Sequence, residues 1–458
     1  MATRRVAPGL VAAGLGVALM ALGAAPAGAA ERVVVTGAGF GHGVGLSQYG
    51  AAGMAAKGRS PRQILRHYYR GTSLQRSAAA SRTVRVALQW GARETTISGA
   101  VSVGGLQTKT TRSYRLIRKA AGIEIREIGR KKRLGRSTSG VAVVPGNAGI
   151  LRVAGRSADG VQDGSYRGRI DVLPDGPKDV VVVNELDIED YLRGVVTEES
   201  PADFPAAALQ AQAIVARTYA ITNAVGGRAF DQWPDTRSQV YTGIAGESPQ
   251  GDAAVAATRG QVVTLNGTPV ITYFFSTSGG RTEDADKVFG GAPRSWLQSV
   301  PDPDEGDVEL HRWVRSFTAA SADARTARFR VGALRRIDVL ERGDSPRILR
   351  ARVTGTTGTA DVTGEQLQRA FDLPDRWATF ANASISGCLK AGPTAAERRA
   401  AAAFRAAAAA RAEQRRRARD PQVLTAAAGL GVVVEFQTGG PDAVTTPGAP
   451  TPAGAGGA

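Results

Sequence analysis

The spacing of apolar residues changes several times along the chain, and each spacing predicts a different element. The run Val33, Val34 and Val35 reads as an opening strand, followed by a glycine-rich stretch over 37–50. The segments 51–56 and 61–69 then read as helices. From 83 to 170, Val, Leu, Ile and Thr alternate with polar residues between glycines, which predicts short antiparallel strands with a basic hairpin or loop in the middle. Val180, Val181, Val182 and Val183 predict a buried strand, and 191–196 a short helix. The segment 204–223 predicts a long helix with Pro205 in its first turn and Asp203 as a candidate cap. Its positions from 206 to 220 are nearly all apolar, so it should be buried. A hairpin over 261–276 is expected to turn on Asn266-Gly267. Strands follow over 328–380, with a helix at 364–371. Strand-rich stretches mixed with helices make the fold class α+β. Past 390, Thr394 and Glu397 form a capping box opening an Ala/Arg-rich helix, read as a solvated one. Residues 438–458 have the composition of a disordered tail.

The first thirty residues read as a secretory signal peptide. Arg4 and Arg5 precede an apolar run over 10–25, and Ala27-Gly28-Ala29 fits a cleavage site. The alternative is a membrane anchor, but the run is short for a spanning helix. The mature chain is therefore expected to be secreted or cell-wall associated. With 458 residues there is chain enough for two to three domains, and 43% hydrophobic residues argue for a packed core rather than disorder. One Cys and three His disfavour a disulfide framework, a Cys zinc cluster and a Cys nucleophile. The net charge of +17 is concentrated in 109–136 and 398–419. Outside the cell, such runs point to anionic wall polymers as partners. Nucleic acid is disfavoured, because no aromatic residues interleave with the basic ones.

Three clusters could carry chemistry. Glu198 and Glu199 stand before a Ser200-Pro201 turn at the head of the long helix. At 100° per residue that helix places Gln210 and Arg217 on one face, and Gln212 and Tyr219 nearly opposite. Polar groups on a buried helix need partners, whether neighbouring loops or a cleft. The glycines at 37, 39, 41, 43 and 45 do not match the dinucleotide fingerprint or a phosphate loop. They suggest repeated turning or close approach of a ligand, with His42, Ser47, Gln48 and Tyr49 offering polar contacts. The third cluster, Ser276-Thr-Ser-Gly-Gly-Arg-Thr-Glu283, suits a sugar-lined cleft and equally a plain turn.

Together these clusters resemble the stage II sporulation protein D family (SpoIID/LytB), in the form of an actinobacterial-type secreted member with the glycine-rich motif at the N-terminus. The matching residues are Asn184-Glu-Leu-Asp-Ile-Glu-Asp-Tyr-Leu-Arg-Gly-Val-Val196, Glu199-Ser-Pro201, Ala208-Leu-Gln-Ala-Gln-Ala213, Ala216-Arg-Thr-Tyr219, Gln239-Val-Tyr-x-Gly243, Ser276-Thr-Ser-Gly-Gly-x-Thr282 and Gly41-His-Gly-Val-Gly-Leu-Ser-Gln-Tyr-Gly50. The last motif precedes the core instead of following it, as in a circular permutation.

The resemblance implies a peptidoglycan lytic transglycosylase that cuts the MurNAc–GlcNAc bond with one catalytic carboxyl group, Glu199. His42, Gln48, Tyr49, Ser276, Ser278 and Gly279 are expected to contact substrate. Arg217 is expected to hold backbone or a distant carboxylate, because a close cation would lower the pKa that Glu199 needs. Gln212 and Tyr219 are expected to hold loops. Phe275 and Ser278 stand where some relatives carry zinc ligands, so no metal or other cofactor is expected, and Cys388 reads as a small buried residue. The partners implied are peptidoglycan glycan strands and a wall amidase. The alternative function is a non-catalytic wall-binding protein or an amidase enhancer of the LytB type. The organisation expected is a signal peptide over 1–30 and a glycine-rich segment over 31–75 that contributes to the core. A β-rich inserted module would span 76–169, the SpoIID-like catalytic core with a β extension 170–390, and a basic, partly disordered helix and tail 391–458.

Overall fold

A computed structural model describes residues 32–130, 132–306 and 308–381. The expected signal peptide, Cys388 and the Ala/Arg-rich helix with its tail lie outside the described residues. The described chain mixes helices with mostly antiparallel sheets, as the α+β reading requires.

Two six-stranded antiparallel sheets hold the β-rich half. One runs in the order Thr83–Ala92, Asp179–Asp187, Arg169–Asp175, Val141–Pro145, Ala100–Val103 and Leu106–Gln107. The other is ordered Arg133–Ser137, Gly122–Glu127, Ser113–Lys119, Glu94–Ser98, Ile150–Val153 and Ser165–Arg167. Alternation puts Val84, Val86, Leu88, Ile97, Leu116, Ile125, Val143 and Val172 into one shared core. The segment 76–169 is therefore no separate module. Strand Thr83–Ala92 pairs directly with Asp179–Asp187, so the expected boundary at 169/170 cuts a continuous sheet.

The helix Ala206–Thr222 joins this core to a second one. Leu209, Ala213, Ala216 and Ala220 face the sheets. Ala211, Ile214 and Val215 face a cluster built from Val44, Leu46, Met54, Ile64, Leu65 and Val263. A helix packed on two sides must be apolar nearly all round, which is the pattern in its sequence. Its N-cap is Pro205, with no side-chain cap, so Asp203 does not play the expected part. A third core gathers Val35 of the strand Arg32–Gly37 with Ile337 and Val353 of the C-terminal strands and Leu367 and Phe371 of the helix Gly364–Phe371.

The expected hairpin forms only at its turn. Asn266 (φ 50°) and Gly267 (φ 82°) join Gln261–Leu265 to Thr268–Pro269. The second arm then leaves after one further bond, Val270 N to Val263 O at 3.2 Å, because Val263 N is taken by the Thr218 hydroxyl at 3.0 Å. The other edge of Gln261–Leu265 is taken by Ser73–Arg76. Phe274–Phe275 pairs instead, in parallel, with Leu46–Ser47.

This parallel pairing anchors the glycine-rich segment. Gly45 has φ +78°, and a Cβ there would overlap the Tyr273 carbonyl oxygen. That oxygen accepts from Leu46 N at 3.1 Å and from the Tyr69 hydroxyl at 2.7 Å, so it has nowhere to move. Gly45→Ala is expected to destabilise the protein by about 3 kcal/mol, from left-handed strain plus the clash. Thermal unfolding checks it, and a loss below about 1 kcal/mol would contradict this packing.

Candidate active site

Glu199 ends the short helix Val196–Glu199. Its Oε1 accepts from the Val240 backbone amide at 2.6 Å, and the Gln48 side chain also bonds to its carboxyl group. Burial pushes its pKa up from 4.5 to about 7, and the Glu198 charge adds to the rise. The bonds from Val240 and Gln48 oppose it, because both favour the ionised form. The residue is half-buried, so part of its surface stays accessible.

Gln48 comes from 151 positions earlier in the chain and is itself buried. It opens the helix Gln48–Ala56, capped by Ser47, whose Oγ accepts from Gly50 N at 3.2 Å and donates to Glu305 Oε1 at 3.1 Å. Helix capping and the Glu305 anchor thus set where Gln48 points. A Cβ on Gly50 would overlap the Asp302 carboxylate, so this helix can only seat there with glycine at that position. Tyr49 donates its backbone amide to Ser276 O at 3.1 Å, and its ring meets Phe204 edge-on at 5.1 Å. Tyr49 and Ser276 are thus joined to each other beside Gln48, which is the one of the three that bonds to Glu199. Ser276 is half-buried, with its Oγ 3.0 Å from Thr277 Oγ1.

Ser278 and Gly279 serve a different group. Ser278 is fully buried, and its Oγ accepts from Gly280 N at 2.9 Å. The backbone amides of Ser278 and Gly279 both donate to the Glu305 carboxylate, the latter at 2.8 Å. His311 Nδ1 lies 2.7 Å from the same carboxylate. Glu305 thus ties the Ser-Gly-Gly turn to Ser47, the neighbour of Gln48. His42 occupies an aromatic pocket formed by Tyr273, Phe275 and Phe289, with ring centroids 6.0, 5.4 and 5.3 Å away. Its Nδ1 accepts from Val44 N at 3.0 Å, which puts the proton on Nε2. Burial first, then the Arg347 and Arg376 cations, lower its pKa to about 3, so it is neutral at physiological pH. Among the described residues no hydrogen bond or ion pair joins His42 to Glu199. Phe275 is buried against the guanidinium of Arg347, and no group of three or more His, Cys, Asp or Glu among the described residues could hold a metal ion.

Arg217 takes the position expected of it. It is fully buried and forms a bidentate pair with Glu189, at 2.9 and 2.7 Å, while donating to Gln261 O at 3.2 Å. Its charge is therefore spent away from Glu199. Tyr219 has its hydroxyl pushed up to about 12, chiefly by burial, with Tyr273 and Glu199 adding to the rise, and it accepts from Asn223. Gln212 differs from expectation: it is buried, and neither amide atom finds a partner among the described residues. Nothing in the structure accounts for that.

Three contributors carried no sequence signal of their role. Val240 acts through its backbone, which no side-chain pattern reveals. Gln239 next to it accepts from the Tyr191 hydroxyl at 3.0 Å, fixing the loop that presents Val240. Their motif, Gln239-Val-Tyr-x-Gly243, was legible, but its task was not. Glu305 sits in an acidic Pro-rich stretch that reads as an ordinary loop.

Residues 177–265 match the family of SpoIID, stage II sporulation protein. The chain is 34% identical over 155 residues to stage II sporulation protein D of Bacillus subtilis, covering 30% of this chain and 45% of that one. It is 37% identical over 111 residues to the amidase enhancer of Bacillus subtilis, covering 24% and 14% respectively. An uncharacterized protein of Brachyspira hyodysenteriae is 40% identical over 116 residues, covering 25% of this chain and 32% of that protein. The chain thus spans less than half the length of these relatives. No solved structure matches it. The matched segment holds Glu189, Glu199, Arg217 and Val240, whereas Gln48 and Glu305 lie outside it.

Proposed function

We propose that this chain, which carries a SpoIID-family domain over 177–265, is a secreted peptidoglycan lytic transglycosylase with Glu199 as its single acid/base. The observation that carries the reading is the Glu199 carboxyl group, raised to about 7 and held by Val240 and Gln48. A carboxyl group of that pKa is half protonated near neutral pH, as general acid catalysis requires. Glu199 gives its proton to the glycosidic oxygen leaving C1 of the muramic acid. The C6 hydroxyl of the same sugar attacks C1, and its proton passes to the Glu199 carboxylate. One bond breaks, one forms, and Glu199 ends as it began, leaving a 1,6-anhydro end. No second carboxylate is needed, in contrast to a hydrolytic pair. In this reading Gln48, Tyr49 and Ser276 face substrate, His42 braces the glycine-rich segment with its ring bonded to Val44 N and to the Phe274 backbone, and Ser278 and Gly279 act through the Glu305 clamp.

The test is product analysis. The purified chain is incubated with wall glycan, intact and stripped of stem peptides, and the ends are identified by mass spectrometry. Anhydro-muramic ends are expected. Reducing ends would mean a hydrolase. Binding without products would favour a wall-binding or amidase-enhancing role, the reading that the named amidase enhancer among the relatives supports. In that case a wall amidase becomes the partner to test.

Gln48 supplies a sharper check. Its bond favours the ionised form of Glu199, so Gln48→Leu raises the pKa of Glu199 further. The alkaline limb of the rate profile is expected to move to higher pH, with about a tenfold loss at the optimum. An unchanged limb would show that Gln48 does not reach the acid in solution.

A further inference from the structure

The segment 230–233 runs along the outer edge of strand Thr83–Ala92. Asp231 N donates to Arg85 O at 2.8 Å, and Ala87 N to Gln232 O at 3.1 Å. The Asp231 carboxylate also takes the Arg85 guanidinium at 3.2 and 2.9 Å. This pairing covers an otherwise open sheet edge. It also leaves an aromatic and cationic surface outward. Trp90 is 37% exposed and meets Trp233 edge-on, at 5.0 Å between centroids. Phe230 braces Trp233 from beneath at 4.6 Å. The Arg237 guanidinium stands 3.7 Å from the Trp233 ring and 5.1 Å from Trp90. Arg228 lies 5.2 Å from Trp233.

Both arginines are exposed. Arg237 is held by a two-pronged bond to Asp235, at 2.9 and 2.7 Å. Arg228 makes no ion pair among the described residues and lies over the Phe230 and Trp233 rings. Cation–π contacts of this kind contribute roughly 0.5–1 kcal/mol each at exposed sites, so the rings are held in place rather than merely exposed. The loop is closed on itself as well: Tyr241 N donates to Pro234 O at 3.0 Å, and Trp233 N to Ser238 Oγ at 3.1 Å. Arg237 stands only three positions before Val240, whose amide holds Glu199. That limits the backbone separation to about 11 Å.

We infer that this platform is an auxiliary subsite for a glycan strand bearing carboxylates. The exposed indole of Trp90 offers a flat apolar face for a sugar ring. Arg228 offers its guanidinium to the carboxylate that the sugar carries, through charge-assisted bonds, while Arg237, paired with Asp235, holds the rings in place. The proposal rests on the peptidoglycan reading above, and it assigns the subsite that holds the strand beyond Glu199. The carboxylate belongs either to the lactyl group of muramic acid or to an attached stem peptide, which share this chemistry.

The experiment uses the full chain carrying Glu199→Gln, so that binding is read without turnover. Sedimentation with insoluble wall glycan, intact and stripped, is compared for this parent and for added Trp90→Ala with Arg228→Ala. About a tenfold weaker binding is expected from the pair, with unchanged circular dichroism and thermal midpoint. Loss on stripped glycan assigns the lactyl carboxylate; loss confined to intact glycan assigns the stem peptide. Arg228→Glu alone, on an exposed side chain, is expected to weaken binding further than Arg228→Ala. Binding within twofold of the parent overturns the inference. So does an equal loss toward neutral N-acetylglucosamine tetramers or toward teichoic acid, since neither needs this pairing of ring and carboxylate site. If anhydro ends form in the wild-type chain but binding is unaffected by the substitutions, this inference alone fails. If the substitutions weaken binding but no anhydro ends form, the catalytic reading fails and the glycan subsite stands.

Discussion

Glu199→Gln is expected to abolish anhydro-end formation, with a rate loss of roughly 10²–10⁴-fold. Gln keeps the size and can still accept from Val240, but it has no proton to give to a leaving oxygen. In the wild-type chain the working form is the protonated one. With a pKa of about 7, the rate is therefore expected to fall as pH rises through 7, by tenfold per unit well above it. The same shift carries a stability consequence of opposite benefit. Unfolded Glu titrates near 4.5 and folded Glu199 near 7, so the folded state binds the proton more tightly. Wild-type stability is then lost as pH rises from about 4.5 through 7, and Gln is free of that loss. Glu199→Gln is expected to be more stable by roughly 1–3 kcal/mol at pH 8 and indistinguishable below pH 4. Thermal midpoints across pH 4–9, set beside single-turnover rates, check both halves. A variant that retains anhydro products, or that loses stability at pH 8, would remove Glu199 from the acid/base role.

Arg217→Met is expected to be the most destabilising substitution near the site. Arg217 is 0% exposed and its partner Glu189 is buried as well. The pair is bidentate, and Glu189 Oε1 additionally accepts from Gly260 N at 3.1 Å. Removing the cation leaves a buried carboxylate without its counter-charge, which costs about 3–5 kcal/mol. The Gln261 carbonyl also loses its donor. Arg217→Met with Glu189→Leu together are expected to recover much of the loss, because an apolar pair of similar volume avoids the desolvation of both charges. Denaturant unfolding of the two variants checks this. A single variant within about 1 kcal/mol of wild type would show the pair to be solvated, contrary to its geometry.

Parts of the fold were readable from local chemistry. The Asn266-Gly267 turn, the helix Gly364–Phe371 and the strand Asp179–Asp187 all carry their signal within a few residues. Other parts were misread for equally local reasons. The second arm of the 261–276 hairpin looks like a strand, yet Val263 N turns to the Thr218 hydroxyl and Phe274–Phe275 pairs elsewhere. The 76–169 segment looks separate because it reads as a run of short alternating strands divided by glycines. Its first strand in fact pairs across to Asp179–Asp187, a choice between distant partners that alternation leaves open.

The same division runs through the site. Local sequence determined that a carboxylate stands at the head of an apolar helix, before Ser200-Pro201, and that this helix is buried on every side. It determined the tight backbone of the glycine-rich segment, since only glycine can stand where Gly45 does. Those are properties of neighbours along the chain and of the burial that their pattern demands. What makes Glu199 an acid near pH 7 is chiefly its burial, which the tertiary structure decides, with the neighbouring Glu198 charge adding to the rise. The Val240 amide and the Gln48 side chain, from two distant stretches, hold the carboxyl group and temper that rise. The tertiary structure also decided the Glu305 clamp that joins Ser47 to the Ser278 and Gly279 amides. A pKa depends on the dielectric and charges within a few ångströms of the group, and those ångströms are filled by residues that only folding brings together.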